Sequence, residues 1–158
     1  MNAPSRGIER SPVRDLRHTD LDDVIRIDAE HTGELKPEYW QAVFRDFLDD
    51  NRRRTRVGLA TEGEHGMIGY LLGEVRAFEF GSEPCGWVFA AAVTPSHQRG
   101  RVASQLLGEC CRRFAEAEVG RVRTMVLRNN IPVLSFFRAN GFVAGSFVQL
   151  ELDLEAGA

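Results

Sequence analysis

The sequence predicts a single α/β (α+β) domain in which a mixed sheet is flanked by helices. Two observations carry this. Apolar stretches of strand length alternate with stretches of helical period, in the order β-α-α-β-β-β-α-β-α-β, with room for one further β at the end. A length of 158 residues at 43% hydrophobic content supports one sizeable core, and no repeat or low-complexity linker divides the chain.

Residues 1–11 combine Pro, Ser, Gly and charge and read as a flexible tail, which leaves 12–155 as the domain. "PVRDLR" is the first strand. "HTDLDDVIRIDAEH" follows as a helix, with Thr19 or Asp20 as its cap and Leu21, Val24, Ile25 and Ile27 on its apolar side. Pro37 suits the first turn of a second helix whose stripe is Tyr39, Trp40, Val43, Phe44, Phe47 and Leu48. Strands are expected at "VGLATEG", "MIGYLLGEVRAFEF" and "WVFAAAV", the last one apolar enough to be central. A helix then runs to about Glu118, with Val102, Ala103, Leu106, Leu107, Cys110 and Phe114 on one face. Gly120 ends it. "RVRTMVL" is a strand, "NIPVLSFFRAN" a short helix closed by Gly141, and "FVAGSFVQLELDL" one or two last strands.

Composition narrows the function. A formal net charge of -3 gives no basic field for nucleic acid. The local cluster Arg52, Arg53, Arg54 and Arg56 follows the acidic "DFLDD", which offsets it. Three cysteines, Cys85, Cys110 and Cys111, make neither a disulfide framework nor the paired spacing of a metal site, so no metal is expected. No apolar run approaches the ~20 residues of a membrane span, and the first residues lack the apolar core of a signal peptide. A cytoplasmic protein without a membrane partner is the expectation.

The chemistry concentrates in "TPSHQRGRVASQLLGECC". A polar loop with one glycine and two arginines runs straight into an amphipathic helix. Backbone N–H groups at a helix start, with small side chains that permit close approach, make an anion site. An ordinary strand–turn–helix junction with solvated arginines would look the same from this stretch alone.

Three pieces together resemble the GNAT superfamily of acyl-CoA-dependent acetyltransferases: "AAVTP" ending the apolar strand, "QRGRVA" opening the helix, and "RNN" followed by "SFFRANGF". The resemblance covers nearly the whole chain in element order, and its specific motifs lie between Ala91 and Phe142. It implies a mostly antiparallel sheet, acetyl-CoA as cofactor and an amine as acceptor, either a small molecule or a peptide. The family's phosphate-loop pattern is matched at Gln98 and Ala103, while Arg101 stands where glycine is usual, with Gly100 just before it. By resemblance, coenzyme A is held by Gln98, Arg99, Gly100, Arg101, Val102, Ala103 and Ser104. The strand end Ala91, Ala92 and Val93 and the residues Asn130 and Phe137 complete that set. Asn130 also reads as a plain helix cap.

The family's usual catalytic groups are missing. The acid is commonly a tyrosine four residues before the Gly-Phe pair, and that position is Phe137; no acidic residue stands between Gly86 and Val93. Candidates for a base are Glu74, on the strand expected beside the apolar one, and His31, in the region with Glu30 and Glu34 that walls the amine site in relatives. Each also reads as an ordinary surface residue. Tyr39 and Trp40 read either as acceptor-site walls or as core. The resemblance admits a homodimer through the C-terminal strands. An acyl-CoA-binding regulatory module with little turnover is the reading from a different class. "EFGSEP" and the paired "FF" resemble one group of bacterial members and name no substrate.

Overall fold

The computed structural model describes residues 12–49, 55–99 and 101–155. The chain forms two compact units, Met1–Met125 and Val126–Ala158. The first holds the sheet. Its elements are β1 (Val13–Asp15), α1 (Leu21–Thr32), α2 (Pro37–Phe44), β2 (Arg56–Gly63), β3 (Gly66–Arg76), β4 (Cys85–Val93), α3 (Val102–Glu116) and β5 (Val122–Arg123). The second unit holds α4 (Ile131–Ala139). The tail proposed for residues 1–11, Arg52, Arg53 and Arg54 of the arginine cluster, and Gly100 lie outside the described residues.

The strands lie in the order β1-β2-β3-β4-β5, antiparallel except for the β4–β5 pair. The expected mixed, mostly antiparallel sheet is therefore present. Alternate residues of a strand face opposite sides, and the two faces carry different helices. Ala60, Tyr70 and Leu72 share a buried cluster with Val24 and Ile27 of α1 and with Trp40 and Phe44 of α2. The opposite face carries Gly69, Gly73 and Gly86, and there α3 presses Leu106, Cys110 and Phe114 onto bare backbone.

The entry to α1 departs from the expected cap. Asp20 is 5% exposed, and its carboxylate turns back rather than forward. It accepts the Arg17 N–H at 2.7 Å and both Arg14 guanidinium nitrogens at 2.8 Å. Burial opposes its charge, and these hydrogen bonds outweigh the burial, so the carboxyl is held below its ordinary value. A group with a depressed folded value stabilises above its unfolded value and loses that contribution as pH falls. The fold is therefore expected to weaken below about pH 4. Asp20→Asn should cost about 2 kcal/mol at pH 7 and much less at pH 3, as urea unfolding at the two pH values would show.

Three expected strands change. Residues 77–80 of "MIGYLLGEVRAFEF" leave the sheet, because Phe78 and Phe80 adopt φ of 57° and 52° in a tight turn. The strand expected at 121–127 pairs only at Val122 and Arg123. Residues 142–155 form no strand. Val148, Leu150, Leu152 and Leu154 alternate as a strand would and stand 74–89% exposed; alternation yields a strand only where a neighbour supplies the ladder. Arg56 of the arginine cluster serves locally, donating to the Phe47 carbonyl at 3.2 Å and lying 5.5 Å from its ring centre.

Candidate active site

The site begins where β4 loses its neighbour. β5 pairs with β4 only at Gly86↔Val122 and Trp87↔Arg123. On the other side the β3 ladder continues to Gly69↔Val93, with a bulge that leaves Phe89 unmatched between Gly73↔Val88 and Leu72↔Ala90. The Thr94 N–H donates to the Ile68 carbonyl at 2.8 Å. Backbone groups of an antiparallel strand point alternately to its two sides. The polar groups of Ala92 thus face β3, and those of Ala91 and Val93 face the flank that β5 leaves open. Ala90 and Ala92 pack their side chains against the α1–α2 core.

The loop follows at once. Pro95–His97 forms one tight turn, in which the Thr94 and Ser96 hydroxyls each lie 2.9 Å from His97 Nδ1. Gln98 and Arg99 are exposed, as is Arg101 at the start of α3. The Gln105 N–H donates to the Arg101 carbonyl at 2.9 Å and starts the helical ladder. The amides of Val102, Ala103 and Ser104 precede it and point out of the helix start. Val102 is buried and anchors the turn, which leaves the small Ala103 and Ser104 on the outer side. Outward amides with two exposed guanidinium groups beside them suit a phosphate.

His31 joins these two parts from α1. It lies one turn beyond Ile27 and is exposed, and Gly33, at φ 76°, ends the helix two residues later. Its Nε2 is 2.7 Å from the Val93 carbonyl and its Nδ1 is 3.4 Å from Gln98 Nε2. A carbonyl only accepts, so Nε2 carries the hydrogen and Nδ1 accepts from the Gln98 amide. Glu74 is elsewhere. It pairs with Trp87 across the sheet, five residues along β3 from the Gly69↔Val93 end, or ~17 Å at the usual strand rise. Arg76 Nε donates to it at 3.1 Å, and the Arg76 guanidinium lies 5.0 Å from the Trp87 ring centre. The structure brings His31 to the strand end and does not bring Glu74 there.

Other expectations sort themselves. Trp40 is 2% exposed and belongs to the core, where its indole donates to Asp28 at 3.1 Å beside Lys36 at 2.8 Å; Tyr39 is exposed. Burial pushes the Cys110 thiol up to about 12, which removes it as a nucleophile at neutral pH. Among the described residues no group of three His, Cys, Asp or Glu side chains gathers as a metal site requires, and no helix is long and apolar enough to cross a membrane. The histidine bridge between α1, β4 and the loop was missed in sequence. Its one signal is the spacing of four from Ile27, which continues the row of that residue along α1 to the exposed end of the helix.

In the second unit, Asn130 caps α4, its side-chain oxygen accepting the Val133 N–H at 3.3 Å. The other end is a full Schellman stop. Gly141 has φ 87°, its N–H donates to the Arg138 carbonyl at 3.0 Å, and the Phe142 N–H donates to the Phe137 carbonyl at 3.0 Å. The Phe137 and Phe142 rings meet edge to face at 5.0 Å. The Gly-Phe pair is thus a helix terminus with its apolar contact, and Phe137 supplies one side of that contact.

A family model described as "Acetyltransferase (GNAT) family" matches residues 21–142. A search of curated protein sequences finds no match. Among solved structures, a transcriptional regulator from Bacillus halodurans C-125 superposes with a TM-score of 0.78 at 14% identity, covering 92% of this chain and 100% of its own. The aminoglycoside 6'-N-acetyltransferase AAC(6')-IG from Acinetobacter haemolyticus gives 0.76 at 16% identity, over 90% and 97% of the two chains. The aminoglycoside N-acetyltransferase AAC(6')-Iy, solved in complex with CoA, gives 0.78 at 16% identity, over 92% and 95%. At such identities the superpositions speak to the fold. The family match speaks to the sequence, and it runs from the first residue of α1 to the phenylalanine that seals the end of α4: the chain belongs to the GNAT family of acetyltransferases.

Proposed function

We propose that this chain is an acetyl-CoA-dependent N-acetyltransferase that moves an acetyl group to a primary amine by direct attack in a ternary complex. The observation that carries the reading is the continuity of an open strand flank, at Ala91 and Val93, with a loop that ends in outward amides at Val102, Ala103 and Ser104. Acetyl-CoA enters as a substrate and brings the activated acetyl thioester. The amides and the exposed Arg99 and Arg101 suit its phosphates, and the flank suits its amide-bearing arm. Gln98 and Gly100 belong to the same loop by their place in sequence. Asn130 and Phe137 are assigned to the arm by family resemblance. The CoA complex of AAC(6')-Iy supports this reading.

The chain's own contribution is position. An N–H on the open flank can stabilise negative charge developing on a carbonyl oxygen, and holding amine and thioester together supplies several kcal/mol of barrier reduction. A thiolate leaves without much help, since its conjugate acid has a pKa near ~8.5, so the phenyl ring of Phe137 is no bar to the reaction. The ammonium proton leaves through a water relay to a more distant carboxylate. Phe137 at the usual acid position and the lack of an acidic residue between Gly86 and Val93 also favour the second reading, an acyl-CoA-binding regulatory module with little turnover.

Thermal unfolding with acetyl-CoA, with ATP as control, tests the cofactor. A ligand at about a hundred times its dissociation constant stabilises by ~2.7 kcal/mol, a rise of roughly 5–10 °C in Tm for a chain of this size. A rise with acetyl-CoA alone is expected, and no rise at saturation would remove the assignment. Release of free thiol in the presence of a panel of small and peptide amines then separates the transferase from the module.

A further inference from the structure

We infer that His31 is a positioning residue for coenzyme A: it fills the hydrogen-bonding place that β5 leaves empty at the end of β4, and it fixes the phosphate loop to that strand. The inference rests on the proposed use of coenzyme A. It differs from a role as general base.

The argument starts from the Val93 carbonyl. Thr94 pairs with Ile68, so the Val93 carbonyl points away from β3. A neighbouring strand would normally satisfy it, and β5 stops pairing six residues earlier, at Trp87. A carbonyl beside a buried residue needs a donor, and Val93 is 6% exposed. His31 Nε2 supplies the hydrogen at 2.7 Å, across 62 residues of sequence. That bond fixes the tautomer and leaves Nδ1 bare, where the Gln98 amide donates at 3.4 Å. One ring therefore spans the strand end and Gln98 of the loop. It holds the open flank and the helix-start amides at a set separation before any ligand arrives, which lowers the ordering cost of binding. The two ring nitrogens are committed to these bonds, so the imidazole is not a free base facing the flank.

Two measurements test this. The first is nitrogen-15 NMR of labelled histidine in the free protein. An Nε2–H tautomer at His31 is expected, whereas an Nδ1–H tautomer would overturn the inference. The second is calorimetric titration of coenzyme A into wild type, His31→Ala and His31→Gln. Loss of one such bond should weaken binding about tenfold in His31→Ala. Glutamine keeps an N–H donor for Val93 and should stay within about threefold of wild type. Equal affinity in wild type and His31→Ala would overturn the inference, as would a glutamine variant no better than alanine. If wild type itself fails to bind coenzyme A, the proposed function falls, and the tautomer alone then decides whether His31 ties the loop to the strand. Should His31→Ala not fold, the glutamine variant and the NMR measurement still decide.

Discussion

Gly86→Ala is expected to destabilise the protein by about 3 kcal/mol, lowering Tm by roughly 6–12 °C. A Cβ at Gly86 would lie 2.4 Å from Phe114 Cδ2, 2.6 Å from Cε2 and 2.8 Å from Cγ. Three ring atoms are struck at once, and the ring is fully buried. The same ring also packs over Gly73, where an added Cβ would lie 3.0 Å from Phe114 Cζ, so it is held against the backbone of two strands. Either α3 lifts from the sheet or β4 bends away, and each opens the core on that face. A double mutant makes the cause visible. Phe114→Ala removes all three struck atoms, so the pair should cost clearly less than the sum of its single changes. Additive costs in urea unfolding would mean that the contact is not the reason.

Ala103→Glu is expected to act in two opposite directions. A carboxylate in the first turn of a helix is favourable for the free protein, by 0.3–1 kcal/mol on the ordinary scale, or roughly 1–3 °C in Tm. The same carboxylate repels an anion approaching the amides of Val102, Ala103 and Ser104. Coenzyme A binding should fall by ~100-fold, a loss comparable to one or two charge-assisted hydrogen bonds. Ala103→Gln is the control, matched in length but uncharged, and should bind markedly better than the glutamate variant. Titration calorimetry and a melting curve on the same samples check both signs. A glutamate variant that binds coenzyme A like wild type would show that these amides do not hold its phosphates.

Much of this fold is legible in the chain itself. The apolar spacing of Val24 and Ile27, proline at the start of α2 and glycine after α1 are local signals, and the helices follow them. "WVFAAAV" reads as a strand because its apolar run is bounded by turn residues, and it is the strand of the site. What the sequence misplaces depends on partners. "FVQLELDL" carries a strand's alternation and forms no strand among residues 142–155, since a strand's identity rests on its neighbour. The end of β3 depends on positive φ at Phe78 and Phe80, which phenylalanine does not advertise. The loop was found through its glycine, its arginines and its place before a helix. His31 reads in sequence as an ionisable side chain in the region that walls the amine site in relatives, and its bond to Val93 spans too much sequence for any local pattern to display.

The open flank of β4 also governs how the protein behaves as a material. From Gly86 to Val93 the strand carries no charge, and beyond Trp87 no strand among the described residues pairs with its outer side. Val88 and Val93 have their carbonyls capped by Thr124 and His31, which blunts that edge at those two points. An uncharged strand with an open edge is a template for a strand from another molecule. If coenzyme A lies there, as proposed, it shields that template as well as taking part in turnover. Cofactor occupancy then sets shelf life and the concentration the protein tolerates, and preparations stripped of cofactor are the ones to keep dilute and cold.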